Sequence, residues 1–232
     1  MFNGKNKAIT FSYDDGVTQD IKLIEIFNKY NLKATFNLNS ELLGLEGSLE
    51  REGKTVLHNK NKAEDIKYIY DGHEIAAHSL THPFFPDIKD DGEVIKQVEE
   101  DRLKLSNLAG YEVLGMAYPC STGDMRVENL IRNHTGIKYA RGVETTGKFD
   151  ISKNLLRFEG TIYHHAEWNK LFETAEKFLN SKSDEPQVFY IWGHSYEFDI
   201  YPNRWKEFDE FCKMISGKPD IFYGTNSEIL LK

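Results

Sequence analysis

The chain has 232 residues, 40% hydrophobic and 28% charged, which is enough apolar material for one sizeable core. Its 29 Lys and Arg against 37 Asp and Glu leave a formal charge of −8, which argues against nucleic acid or an anionic membrane as the main partner. No apolar run reaches the ~20 residues that span a bilayer, and the opening MFNGKNKAITFSYDDG has no apolar signal core, so the chain as given reads as soluble and cytoplasmic. Two cysteines, Cys120 and Cys212, are too few for a disulfide scaffold and share no CxxC or zinc-knuckle spacing. Nothing in the composition fixes an oligomeric state.

In chain order, the first β-rich apolar run predicts a strand over Ala8–Tyr13. Ile21, Ile24, Phe27 and Tyr30 then recur at helical spacing before a second strand, Ala34–Leu38. Gly44–Lys62 is polar, glycine-bearing and aperiodic, and reads as an excursion above a sheet rather than a linker. Glu74–His78 is the next strand, followed by a helical stripe of Val94, Val98, Leu105 and Leu108. Strands over Val113–Tyr118 and Ile137–Arg141 come next, then a helix marked by Trp168, Leu171, Phe172, Ala175, Phe178 and Leu179. Val188–Trp192, a stripe of Trp205, Phe208, Cys212 and Ile215, and Ile221–Tyr223 complete the pattern. Strand and helix alternate throughout, which implies a largely parallel sheet covered by helices and a single domain over 1–232. An α/β barrel or an open parallel sheet satisfies this, and both place chemistry on the loops after the strand ends.

Three clusters stand at such ends. Tyr13-Asp14-Asp15-Gly16 sets two carboxylates side by side, which repel one another unless a cation or proton intervenes, although an ordinary Asp-Gly turn reads the same way. His78-Ser79-Leu80-Thr81-His82 brings two imidazoles onto one face if the loop makes one helical turn, so that both can reach one ion. The alternative is a pair of unrelated histidines. Trp192-Gly193-His194 closes a buried strand on a histidine placed to titrate in a cleft, or simply packed in the core. His58, His73, His134 and His165 lack such a pattern and read as structural or solvated, and the His164-His165 pair reads as flanking Trp168 at a helix start, with one ring reaching the cleft as the alternative. The conjunction is what carries chemistry: an N2O ligand set, a second carboxylate for a base and a separate histidine for an acid are an inventory for metal-assisted hydrolysis.

These clusters resemble the polysaccharide deacetylases, carbohydrate esterase family four, which include the nodulation chitooligosaccharide deacetylases. FSYDDG is similar to the family's first motif, HSLTH to its His-Ser/Thr-x-x-His motif, and YIWGH to its last, in the family's order across Ile9–His194. The resemblance implies a distorted (β/α)7 barrel and one catalytic deacetylase domain. It implies Asp14 as general base, Asp15, His78 and His82 as ligands of a divalent ion, zinc before others, and His194 as general acid. Its substrate would be an N-acetylated, or O-acetylated, carbohydrate.

The chain also departs from the family. The arginine two before the proline of the third motif is Ala117 here, in Ala117-Tyr118-Pro119-Cys120, and Arg141 at a strand end is the candidate replacement. Cys120 falls where the family uses a backbone N–H in the oxyanion hole, with Tyr118 and Trp192 as neighbouring substrate candidates. The Trp-Asp motif that orients the acidic histidine is not recognisable between Asn154 and His165, which leaves Glu197 or Asp199 in HSYEFD as substitutes. A related amidohydrolase acting on a small non-sugar amide and a catalytically silent sugar-binding relative both stay open.

Overall fold

The computed structural model describes residues 2–232. Strand β1 (Lys7–Asp14) is buried along its whole length, as a strand covered on both faces must be. Its alternation sorts the side chains. Phe11 and Tyr13 face outward onto Phe27 and Phe208 of helices α1 (Asp20–Lys29) and α6 (Arg204–Ile215). Thr10, Ser12 and Asp14 face the other way and bond to Asn226, Asn37 and Arg141, respectively.

The remaining strands are β2 (Ala34–Leu38), the pair β3 (Ser48–Arg51) and β4 (Lys54–Leu57), β5 (Glu74–Ala77) and β6 (Gly115–Ala117). They are followed by β7 (Tyr139–Thr145), β8 (Phe158–Gly160), β9 (Ile162–Tyr163), β10 (Gln187–Gly193) and β11 (Ile221–Tyr223). Helices α2 (Ile66–Ile69), α3 (Asp91–Ala109), α4 (Met125–His134), α5 (Trp168–Asn180) and α7 (Asn226–Leu230) complete the chain. No helix among the described residues is long and apolar enough to cross a membrane.

The main sheet runs β8-β7-β6-β5-β2-β1-β10-β9, with every pairing parallel, and β11 adds to the first residues of β1. Thr161 alone separates β8 from β9. One segment, residues 158–163, therefore pairs with β7 at its start and with β10 at its end. The sheet curls into a barrel joined through this segment rather than through a direct ladder between its two terminal strands. Counting 158–163 as one stave gives the α/β, (β/α)7-type architecture expected from the alternation. Inside, Thr35 and Tyr139 donate to Glu74, while Asn226 at the start of α7 accepts from Thr10 and donates to Tyr190 Oη. These bonds satisfy polar groups that burial would otherwise penalise.

Each expected strand is present, with ends displaced by up to a few residues, as strand ends usually are. Helices α2, α4 and α7 went unread, and so did two strand features. Gly44–Lys62 contains the antiparallel hairpin β3–β4 in register Ser48↔Leu57 to Arg51↔Lys54. Its two-residue turn, Glu52-Gly53, has φ of 50° and 73°, the both-positive pattern of a type I′ turn that matches strand twist. The segment 158–163 is too short and too mixed in composition to show a strand period.

Candidate active site

Asp14 is the last residue of β1, and Asp15 follows with φ 82°, turning its carboxylate away from that of its neighbour. Asp14 is buried. Its Oδ1 accepts from Asn37 Nδ2 at 2.8 Å and from Arg141 Nη2 at 2.6 Å, and its Oδ2 from the same Nη2 at 2.5 Å. Arg141 is itself fully buried, donates to Gly142 O at 2.7 Å, and lies over the Trp192 ring at 4.4 Å. Burial raises the Asp14 pKa, but Arg141, His78 and His194 outweigh it and hold the carboxyl below its ordinary range.

Arg141 stands on β7 directly opposite Ala117 of β6 in register. The guanidinium missing from the Ala117 position thus enters the barrel from the adjacent strand at the same height. The ladder between β7 and β8 shifts register just beyond it, between Arg141 and Thr145.

His78 follows β5, and Ser79 and His82 adopt φ of 66° and 58°, which coil the loop so that the two imidazoles meet edge to face at 4.7 Å. Buried Asp101 Oδ2 accepts from His78 N at 3.0 Å, and Asn39 Nδ2 donates to the His78 and Ser79 carbonyls. These bonds stabilise a backbone that L-residues adopt at a cost. His78 Nδ1 donates to Ala117 O at 2.8 Å, which leaves Nε2 free. His82 Nε2 lies 3.7 Å from Asp15 Oδ1.

One atom each from Asp15, His78 and His82 lie within 4.8 Å of one another. Burial lowers His78 to about 4 and also lowers His82, so both rings are neutral, as metal ligands must be. A histidine whose other nitrogen is tied to a backbone carbonyl is the usual arrangement at metal centres. The donor set present here fits a divalent cation.

His194 caps a short 3-10 turn, Ser195–Asp199, and Glu197 reaches back from three residues on. Glu197 Oε2 accepts from His194 N at 3.0 Å, and Oε1 accepts from His194 Nδ1 at 3.1 Å and from Tyr163 Oη. Burial lowers the His194 pKa, but Glu197 outweighs it and raises the ring to about 9. Burial likewise raises Glu197, but His194 and His164 hold it far below the usual carboxylate range. Gly193 is required here: a Cβ at that position would lie 1.8 Å from the His164 ring.

Several side chains differ from their sequence-based readings. Asp199 does not reach His194; it accepts from Trp205 Nε1 at 2.7 Å and from Gln19 Nε2 at 3.0 Å. The His164-His165 pair divides. His164 is buried against Phe198 with Nε2 3.2 Å from Glu197 Oε2, off hydrogen-bond geometry, whereas His165 meets Glu52 at 3.0 Å. Tyr118 is buried and donates to Leu156 O, and Trp192 stacks on Tyr163 at 4.3 Å. Cys120 is exposed with φ 59°, and its Sγ is 3.6 Å from His82 Nδ1. Cys212 is buried in α6.

His58 corrects the reading that it is merely structural or solvated. Its Nε2 sits 3.1 Å from Asp15 Oδ2. Lys60, which no pattern singled out, places its ammonium 3.3 Å from Asp15 Oδ1 and donates to Asp15 O at 2.7 Å. Burial raises the Asp15 pKa, but His58 and Lys60 reverse this and hold it well below the ordinary value. Both residues arrive on the β3–β4 excursion, whose proximity to Asp15 no local sequence signal encodes. Asp14, Asp15, His58, His78, His82 and His194 share one cavity of ≈ 630 Å³, a size ordinary for small-molecule sites.

A parallel α/β barrel with a carboxylate–histidine cluster at the carboxyl ends of its strands defines the class. The polysaccharide deacetylase family model matches residues 3–140, more than half of the sequence, and the chain belongs to that family. No curated protein matches the sequence. Among solved structures, the family 4 acetyl xylan esterase from Clostridium thermocellum, in complex with a cobalt ion, aligns with TM-score 0.61 at 16% identity, covering 97% of this chain and 91% of that one. The family 4 carbohydrate esterase from Streptomyces lividans, in complex with acetate, gives 0.59 at 13% identity over 95% and 93%. A wild-type family 4 pseudoenzyme from Bacillus anthracis gives 0.56 at 15% identity over 97% and 66%. At such identities the likeness concerns the fold.

Proposed function

We propose that this chain is a metal-dependent deacetylase that releases acetate from N-acetylated, or O-acetylated, sugars, with residues 1–232 acting as one catalytic domain. One observation carries the reading. A single cavity gathers Asp14 paired with Arg141, the Asp15–His78–His82 donor set, and His194 hydrogen-bonded to Glu197. A divalent ion held by Asp15, His78 and His82, zinc being the natural occupant of an N2O set, would polarise the acetyl carbonyl and acidify bound water.

Asp14 takes the proton of the attacking water, and Arg141 with Asn37 fixes the orientation of its carboxylate. Cys120 lines the same cavity, and a backbone N–H at this position would hold the developing oxyanion, a contribution of about 3–4 kcal/mol for one well-placed donor. His194, its tautomer set by Nδ1–H donation to Glu197, delivers a proton from Nε2 to the departing nitrogen. Without that proton the amine is too poor a leaving group at neutral pH. Trp192 and Tyr118 border the cavity from within the core, buried as they are, and leave little ring face to a sugar.

The test is acetate and free-amine release from a panel of N-acetylated and O-acetylated saccharides, with His194→Gln as the control. The reading expects amine and acetate in equal amounts from N-acetylated substrates and acetate without amine from O-acetylated ones, the amide release being lost in the variant while its metal content is kept. A second reading, a related amidohydrolase on a small anionic amide, draws on Arg51 and Lys60 lining the same cavity. Hydrolysis of small N-acyl acids, with no release from any saccharide, would favour it.

A further inference from the structure

The β3–β4 hairpin supplies Leu49 and Arg51 to the cavity lining and is fastened at both ends and along its length. At its base, Thr18 N donates to Asn59 O at 2.8 Å, Asn61 N to Gly16 O at 2.9 Å, and Gln19 Nε2 to Leu57 O at 2.9 Å. At its tip, Glu52 accepts from Tyr201 Oη and meets His165 Nε2 at 3.0 Å, while Lys54 Nζ donates to Ile200 O at 2.5 Å. Beneath it lies a separate apolar cluster of Val17, Val56, Tyr196 and Ile200, with Leu49 packed against it.

A strand pair with its own core and polar fastenings is a wall, not a mobile flap, because opening it would expose that core and break several bonds together. The span is informative. It begins beside the β1 end that carries Asp15 and finishes on residues that follow β9 and the His194 turn. Leu49 and Arg51 of the hairpin, with Leu45 just before it, line the cavity together with Cys120 and Val143. A saccharide seated with its acetyl group at Asp14 and His194 therefore meets protein on the hairpin side after a short distance.

We propose that the β3–β4 hairpin determines substrate size, closing the cleft on one side so that the site takes short acylated saccharides, or the terminal unit of a chain, and not the interior of a polymer. This rests on the deacetylase reading above and goes beyond it by limiting the substrate. Arg51, projecting from the wall, is its polar contact to the ligand.

Two measurements test it. Amide hydrogen exchange of the whole protein reports on the wall without any substrate. The hairpin amides are expected to exchange at least about 100-fold more slowly than a free chain, and exchange at free-chain rates would overturn the fixed wall. Acetate release is then compared for a chitin disaccharide and pentasaccharide. In the wild type kcat/KM should stay within about threefold between them, whereas replacing residues 49–56 by a short glycine-serine turn should raise the pentasaccharide value about tenfold or more. The milder pair Glu52→Gln and Tyr201→Phe, which only frees the tip, should move the ratio in the same direction and guards against misfolding of the shortened chain. A wild-type preference of about tenfold or more for the pentasaccharide overturns the proposal. Failure to release acetate from every saccharide would instead overturn the deacetylase reading, with the exchange data still reporting on the wall.

Discussion

Replacing Glu197 by Gln removes one negative charge from the His194 ring and leaves the ring in place. The wild-type imidazole is held at about 9 against an ordinary 6.5, with Glu197 Oε1 3.1 Å from Nδ1. A rise of that size corresponds to roughly 3 kcal/mol in favour of the imidazolium. With Glu197 neutral, burial becomes the dominant influence and disfavours the charged ring, so the pKa is expected to fall by about two units or more. A raised histidine pKa contributes stability that is fully present below the unfolded value and is lost as pH climbs through the folded one. The stability gap between the two proteins is thus expected to be widest below about pH 6.5 and to narrow as pH passes 9. Ring proton NMR of the metal-free proteins gives the titration directly, and the alkaline limb of the pH–rate profile should follow it to lower pH. A wild-type ring titrating near its ordinary value, or an unchanged ring in the variant, would refute the assignment of Glu197 as its partner.

His78→Ala and His82→Ala should each weaken zinc binding by at least about tenfold in calorimetric titration, with the barrel still folded, because each removes one donor of three. Lys60→Gln should tighten zinc binding by about tenfold while Lys60→Arg does not, since the ammonium 3.3 Å from Asp15 opposes a cation on the same carboxylate. Equal affinity in all three proteins would show that Lys60 serves only the hairpin. Arg141→Met should cost about 3–5 kcal/mol in denaturant unfolding at neutral pH, because it leaves Asp14 charged and buried without its partner. That loss should shrink as pH falls through the depressed Asp14 pKa, since a carboxylate with a lowered folded pKa stabilises above its unfolded value and not below. Asp14→Asn should keep zinc and lose turnover, whereas Asp15→Asn should lose zinc.

The barrel was legible because its strands are buried on both faces, and continuous apolar runs such as Val188–Trp192 announce this without tertiary information. The pairing of Asp14 with Asp15 and the four-residue step from His78 to His82 were legible for a similar reason: each is a local spacing at a strand end. Arg141 and Glu197 were legible only as candidates. Choosing Glu197 over Asp199 needed the 3-10 turn, whose three-residue return brings one carboxylate to the His194 ring and sends the other to Trp205 and Gln19. Assigning Arg141 needed the register that sets it opposite Ala117. His58 and Lys60 were not legible. They reach Asp15 through a hairpin more than forty residues away in sequence, and nothing in HNKNK distinguishes a buried ammonium from a solvated one. His164 flanks Trp168 as its position suggested, but its approach to Glu197, 33 residues further along the chain, was not legible.

The central claim is that Asp15, His78 and His82 hold a divalent ion on which acetate release depends. The most direct test follows acetate release from a chitin oligosaccharide by protein as purified, stripped with a chelator, and reloaded with zinc or cobalt, with the bound metal quantified in each sample. The account predicts about one ion per chain, loss of release on stripping and recovery on reloading, with no recovery in His78→Ala. Release that persists undiminished in the stripped protein would contradict it.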